Sequence, residues 1–396
     1  MGLRALPNRR KTLPHLYRAR GRGPWSLVAF LLVILCALLP GGQAAAAAKP
    51  RAAAKPRAAA KPRAAAKPRA AAKPHPSSKP HPVTIEWVGD IALDTERGLP
   101  PGGLTKSLAP VRGLLHDSDL TLGNLEGTLS VGGVSKCGGI GGGDCYAFQA
   151  PPTYAEQLRA LGFGDLNLAN NHSHDYGASG RRQTIAALTR AGITHDGLPG
   201  EIAIRRAGGQ RIAILGFAPY PYDANLLDIP AARALVRRAR REASLVIVII
   251  HAGAEGADQL HTPYGEQYYL GEDRGNARAF AHAVIDAGAS IVLGSGPHVI
   301  RGIQRYRRRL IAYSLGNFVG YHTLGGGGVL SKSAILRVTL GPGGQVLGGR
   351  WISIELNDGL PRRDPTNASA HLVRTLSRED FGNSRFAISP SGLITP

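Results

Sequence analysis

Ser244–His251 reads SLVIVIIH, and this stretch decides the fold class. Six consecutive apolar residues leave no polar face, so a strand built from them is covered on both sides. The run stops abruptly at His251, and a helical stretch, NARAFAHAVIDAG (276–288), comes later. Working outward, the same design recurs: short apolar runs end in polar, glycine-flanked residues and alternate with helical stretches, the pattern of an α/β sandwich. The runs are VTIEWVGD (83–90), SDLTLGNLE (118–126), DLNLANNH (165–172), RIAILGFAPY (211–220) and SIVLGSGPH (290–298). Helices are expected over YAEQLRALGF (154–163) and GASGRRQTIAALTRAG (177–192). A hairpin is expected over 299–318, and a second over 333–356 that completes a sheet.

The polar residues fall where these runs end. Asp90, Glu126, Asn171 with His172, His251 and His298 each stand at the end of an expected strand or just past it. In open α/β sheets ligands collect outside the carboxyl ends of strands, so five separate termini can converge on one point. Two carboxylates, an amide oxygen and two or three imidazoles suit manganese, iron, zinc or magnesium and not a thiophilic metal. Such a set can hold one or two divalent ions that activate water and steady charge on a phosphoryl or acyl centre. His172, beside Asn171, is placed to protonate a leaving group.

Gly89-Asp90, NLEG (124–127), LANNHSHDYG (168–177), HAGAE (251–255), GPHV (296–299) and IAYSLGNF (311–318) resemble, in order and spacing, the CapA family of capsule and poly-γ-glutamate synthesis proteins. The resemblance covers about residues 84–325. It implies a calcineurin-like metallophosphoesterase fold, a four-layer α-β-β-α sandwich of two β-sheets flanked by helices. It also implies an extracytoplasmic protein that makes, exports or anchors poly-γ-glutamate or a related anionic polymer, with membrane capsule-synthesis proteins as partners. Carried over by position, Asp90, Glu126, Asn171, His251 and His298 are the implied metal ligands and His172 the acid. Asn124, Asp175, Glu255 and Asn317 are candidates for supporting those ligands or meeting substrate. Asp175 could instead cap the helix that follows, Glu255 could brace its loop, and Asn317 could orient His298 or satisfy local backbone. Two departures stand out: Ala92 occupies the place of a usual histidine two after Asp90, and Gly296 occupies that of an imidazole in many relatives. One firmly held ion, or a weak second site completed by water, is the expectation.

Composition divides the chain. Seventeen Lys and Arg and no acid fall in residues 1–82, which leaves +4 of the net +21 for residues 83–396. With the charge in a tail and none concentrated on the folded part, nucleic acid is not an expected partner. Residues 1–45 pair an Arg-rich leader with an apolar run, Trp25–Leu39, as a signal peptide or membrane anchor does. Residues 46–82 carry AAAKPR four times; a proline every six residues breaks helix and favours a stiff, cationic spacer that threads an anionic envelope or simply stays solvated. The globular domain is expected over 83–325, with completing strands over 326–360 and a tail over 361–396. Cys137 and Cys145, in a glycine-crowded loop, are expected to pair outside the cytoplasm. The arginines of RYRRR (305–309) are charge-matched to polyglutamate, or form a solvated turn. Two functional classes follow: a metal-dependent hydrolase or transferase on a phosphoester or amide of an envelope polymer, or a non-catalytic assembly component that binds polymer.

Overall fold

The computed structural model describes residues 80–138 and 145–396. The leader and residues 46–79 of the repeat lie outside them. Among the described residues, no helix is long and apolar enough to cross a membrane.

Two sheets pack face to face. In the larger, Val83–Ala92 runs antiparallel to Lys332–Leu340 on one side and parallel to Leu120–Glu126 on the other. Phe163–Asn167 and Thr194–Asp196 continue the parallel side, and Val346–Asn357 lies beyond Lys332–Leu340. In the smaller sheet Leu245–His251 sits between Gln210–Phe217 and Ile291–Ser295, all three parallel. Side-chain alternation sets the layers. Leu245, Ile247 and Ile249 enter the core between the sheets with Ile85, Trp87 and Leu122. Val246, Val248 and Ile250 face the other way, against Val236 and Val284 of the helices Ile229–Glu242 and Ala277–Ala287. Beyond the larger sheet, Val88, Ile91 and Leu125 pack under Leu158 and Leu188 of the helices Tyr154–Ala160 and Gly177–Ala191. The outcome is the four-layer α-β-β-α sandwich, and SLVIVIIH is buried on both faces as its composition requires.

Two contacts, one between the sheets and one to the segment that joins them, tie the fold near the strand ends. Trp87 donates its indole N–H across the core to Gly294 O at 3.2 Å. Asp90 N donates to Gly316 O at 3.1 Å, an approach only glycine at 89 permits, because a Cβ there would overlap the Gly316 carbonyl. The Gly-Asp and Leu-Gly-Asn motifs are thus two halves of one contact.

Two expectations need correction. The stretch 299–318 is not one hairpin: Ile303–Tyr306 and Arg309–Ala312 pair with each other, but Asn317–Val319 crosses to the larger sheet and pairs with Val83–Ala92, Asn317 opposite Asp90. Gly316, at φ +69°, makes that crossing. Residues 361–396 are not a tail. They form the helix Ala368–Phe381, whose Ala370, Val373 and Leu376 complete the core between the sheets, and a strand, Leu393–Thr395, that pairs with Val346–Asn357. An apolar stripe at helical spacing explains the packing, although polar neighbours mask it in sequence. Leu376→Ala is expected to cost about 2–5 kcal/mol in urea unfolding, against near zero for a residue on a free tail.

A candidate metal centre at the strand ends

The parallel strands of both sheets deliver their carboxyl ends to one place. Asp90 and Asn124 are paired across neighbouring strands, and Glu126 and His251 are the last residues of theirs. Asp90, Glu126 and His251, all buried, offer ligand atoms within 4.8 Å of one another, a spacing that could hold a metal ion.

The hydrogen bonds around these groups leave a particular set of atoms without partners. Asn124 donates to Asp90 Oδ1 at 2.8 Å, while its own Oδ1 accepts from Asn167 at 2.7 Å and Asn170 at 3.0 Å. His251 Nδ1 lies 3.1 Å from Ser295 Oγ and 3.3 Å from Asn124 Nδ2, which together fix the ring, and its Nε2 faces Glu126 Oε1 at 3.5 Å. Asp90 Oδ2, both oxygens of Glu126, Asn171 Oδ1 and His251 Nε2 are buried and have no hydrogen-bond partner among the described residues. A buried acceptor left unmade costs roughly 1–3 kcal/mol, more if charged. The four on Asp90, Glu126 and His251, whose ligand atoms cluster within 4.8 Å, fit the coordination shell of a divalent cation, while Asn171 lines the cleft.

His298 stands between this set and solvent. Asn317 Oδ1 can only accept, and its Nδ2 is occupied by Leu324 O, so His298 Nδ1 donates to it at 2.9 Å. Asp90 Oδ2 lies 3.2 Å from the same nitrogen. Nε2 is therefore the atom turned toward Glu126 Oε1 at 3.7 Å and Glu255 Oε2 at 3.5 Å. Asn317 serves both roles considered for it, orienting His298 and satisfying backbone. Glu255 is gripped by Arg274 at 2.5 Å.

Electrostatics follow from burial and proximity. Burial, then the charge of Asp90, pushes Glu126 well above the ordinary carboxylate range. Burial opposes ionisation of Asp90 too, but the close approach and charge of His298 hold it below that range. Burial likewise resists a charge on His298, yet Glu126 and Glu255 raise it well above the ordinary imidazole value. His251, desolvated and near Arg274, is pushed down to about 3 and is neutral, the form a metal ligand needs.

A cleft of about 750 Å³ opens over the centre and is lined by Asn171, His172, Glu255, Arg274, His298 and Asn317 among others. Its His172 donates Nδ1–H to Asp175 Oδ2 at 2.8 Å, which leaves Nε2 as the ring atom for proton exchange. Burial holds this imidazole below its usual value although Asp175 pulls it upward. Asp175 does not cap the following helix, whose N-cap position is Tyr176 without a side-chain bond. At Gly296 the backbone has φ +111° and a Cβ would sit 2.9 Å from Ala252 N, so an imidazole cannot simply be restored there. The RYRRR turn joins the start of Arg309–Ala312, a strand parallel to Ile291–Ser295, and so lies at the opposite sheet edge from the cleft. Sequence reasoning missed Arg274, Ser295, Lys136 and Phe148. Arg274 is 1% exposed but sits in GEDRGN, a stretch that reads as solvated turn.

The model of the family described as bacterial capsule synthesis protein PGA_cap matches residues 84–322. The capsule biosynthesis protein CapA of Bacillus anthracis is 34% identical over 177 residues, 41% of each chain. The PGA biosynthesis protein CapA of Bacillus subtilis is 30% identical over 184 residues, 41% of this chain and 44% of that protein. The chain thus spans less than half the length of these two relatives. Among solved structures, a 5'-nucleotidase precursor from Thermus thermophilus aligns over 75% of this chain and 59% of its own, at 13% identity and a TM-score of 0.42.

Proposed function

This chain belongs to the PGA_cap family of bacterial capsule synthesis proteins, and from that premise we propose that it is a metal-dependent hydrolase or transferase acting on a phosphoester or amide linkage of an anionic envelope polymer. The observation that carries the reading is the set of unpartnered buried atoms on Asp90, Glu126, Asn171 and His251, set beneath a cleft that also holds a His–Asp pair. Asp90, Glu126, Asn171 and His251 would hold the cation, with His298 joining them on giving up its proton, and the donor chemistry suits manganese, iron, zinc or magnesium. When bound, it supplies Lewis acidity and neutralises charge on the reacting group. His172 does the proton chemistry: neutral at rest, it gains a proton as an anionic substrate settles beside it, and gives that proton to the leaving oxygen or nitrogen from Nε2. Asp175 fixes the ring and steadies the imidazolium.

The polymer is of the poly-γ-glutamate class, and membrane capsule-synthesis proteins are the partners. The place of action is outside the cytoplasm, secreted or anchored; the Arg-rich leader and the Cys137–Cys145 disulfide support this. A panel of aryl phosphoesters and γ-glutamyl amides, assayed before and after chelation, tests the activity. Turnover that disappears with chelator and returns with one divalent cation is expected. A metal-loaded protein that turns over nothing yet retains polymer would replace this reading with the assembly component.

A further inference from the structure

The His172–Asp175 pair is not held by its own loop alone. Asp175 Oδ2 accepts from Phe148 N at 2.6 Å as well as from His172. The Phe148 ring lies against the His172 imidazole, centroids 4.5 Å apart. From the other side, Lys136 Nζ pairs with Asp175 Oδ1 at 2.7 Å and donates to Asn171 O at 3.0 Å, while Lys136 N donates to Asp175 O at 2.8 Å. Two stretches of chain therefore grip one pair, one arriving at Lys136 and the other leaving through Phe148. Cys137 follows Lys136 directly, Cys145 lies three residues before Phe148, and the two are bonded to each other. The disulfide ties the two halves of the grip together at their base.

We propose that the Cys137–Cys145 disulfide, acting through Lys136 and Phe148, is a positioning device for the His172–Asp175 pair, distinct from the Asp90, Glu126 and His251 cluster. Neither cysteine, nor Lys136, nor Phe148 belongs to the donor set, so losing the tie should loosen His172 and leave Asp90, Glu126 and His251 in place. The inference rests on His172 as the proton-transferring group, and its consequence for rate does too. The consequence for the hydrogen bond to Asp175 does not.

The test uses the full chain as wild type, Cys137→Ser/Cys145→Ser, Lys136→Met and Lys136→Arg. Three quantities are read: cation content, the downfield imidazole N–H proton resonance of His172 (assigned by its loss in His172→Asn), and kcat and KM on an aryl phosphodiester. The double Ser variant and Lys136→Met are expected to keep their cation, to broaden or lose the resonance, and to drop kcat roughly 10- to 100-fold with KM little changed. Lys136→Arg recovers the resonance and most of the rate. A resonance and kcat unchanged in the double Ser variant overturn the proposal. So does a fall in cation content matching the fall in rate, because the effect would then run through the centre or the fold. Wild type that turns over no substrate, with the resonance still lost on removing the disulfide, would sink the hydrolase reading and leave the clamp standing.

Discussion

Glu126→Gln is expected to make the metal-free protein more stable and to abolish its stabilisation by divalent cations. Glu126 has two buried oxygens without partners, and both burial and Asp90 disfavour its charge. Its raised folded pKa fixes the sign. The contribution to stability is fully present below the ordinary carboxylate range and is lost as pH rises through the folded value. A neutral amide cannot ionise, so the metal-free variant should unfold at higher temperature than wild type at neutral pH and show a flatter pH dependence between about 4.5 and neutrality. Cation binding reverses the order. It stabilises wild type by about 2.7 kcal/mol at a hundredfold excess over Kd, whereas the variant gains little. Calorimetric scans with and without cation check both halves. An equal gain in both proteins would place the cation elsewhere.

His172→Asn should do the opposite: leave cation content intact and remove turnover. A positioned general acid contributes typically 10²–10⁴-fold, and the loss should appear in kcat. Asn can still hydrogen-bond to Asp175, so Tm should move little. Unchanged kcat would reassign His172 to a structural partner of Phe148 and Asp175.

How much of this was legible beforehand depends on the physics that places each residue. SLVIVIIH could be read because burial on both faces demands an unbroken apolar run, and the polar residues at strand ends could be read because a strand delivers its last side chain to a sheet edge whatever lies beyond it. Asp90, Glu126 and His251 meet for that reason. Arg274, Lys136 and Phe148 could not be read this way. Lys136 and Phe148 act through tertiary contact from irregular segments and Arg274 from the short strand Glu272–Gly275, and nothing local distinguishes a lysine that grips Asp175 from one in water. The helix Ala368–Phe381 escaped for a related reason, since its core stripe is broken by His371, Arg374 and Arg378. The Asn317–Val319 crossing escaped because it answers to the space above Gly89 in the other sheet.

The account's central claim is that carboxylate, amide and imidazole groups from both sheets converge to hold a divalent cation. Elemental analysis of the purified protein, followed by calorimetric titration of the metal-free form with manganese, zinc, iron and magnesium, addresses it most directly. One cation bound tightly, or one tight and one weak, and lost in Asp90→Asn and His251→Ala, is the predicted result. A wild-type protein that carries no cation and takes up none of the four would contradict it.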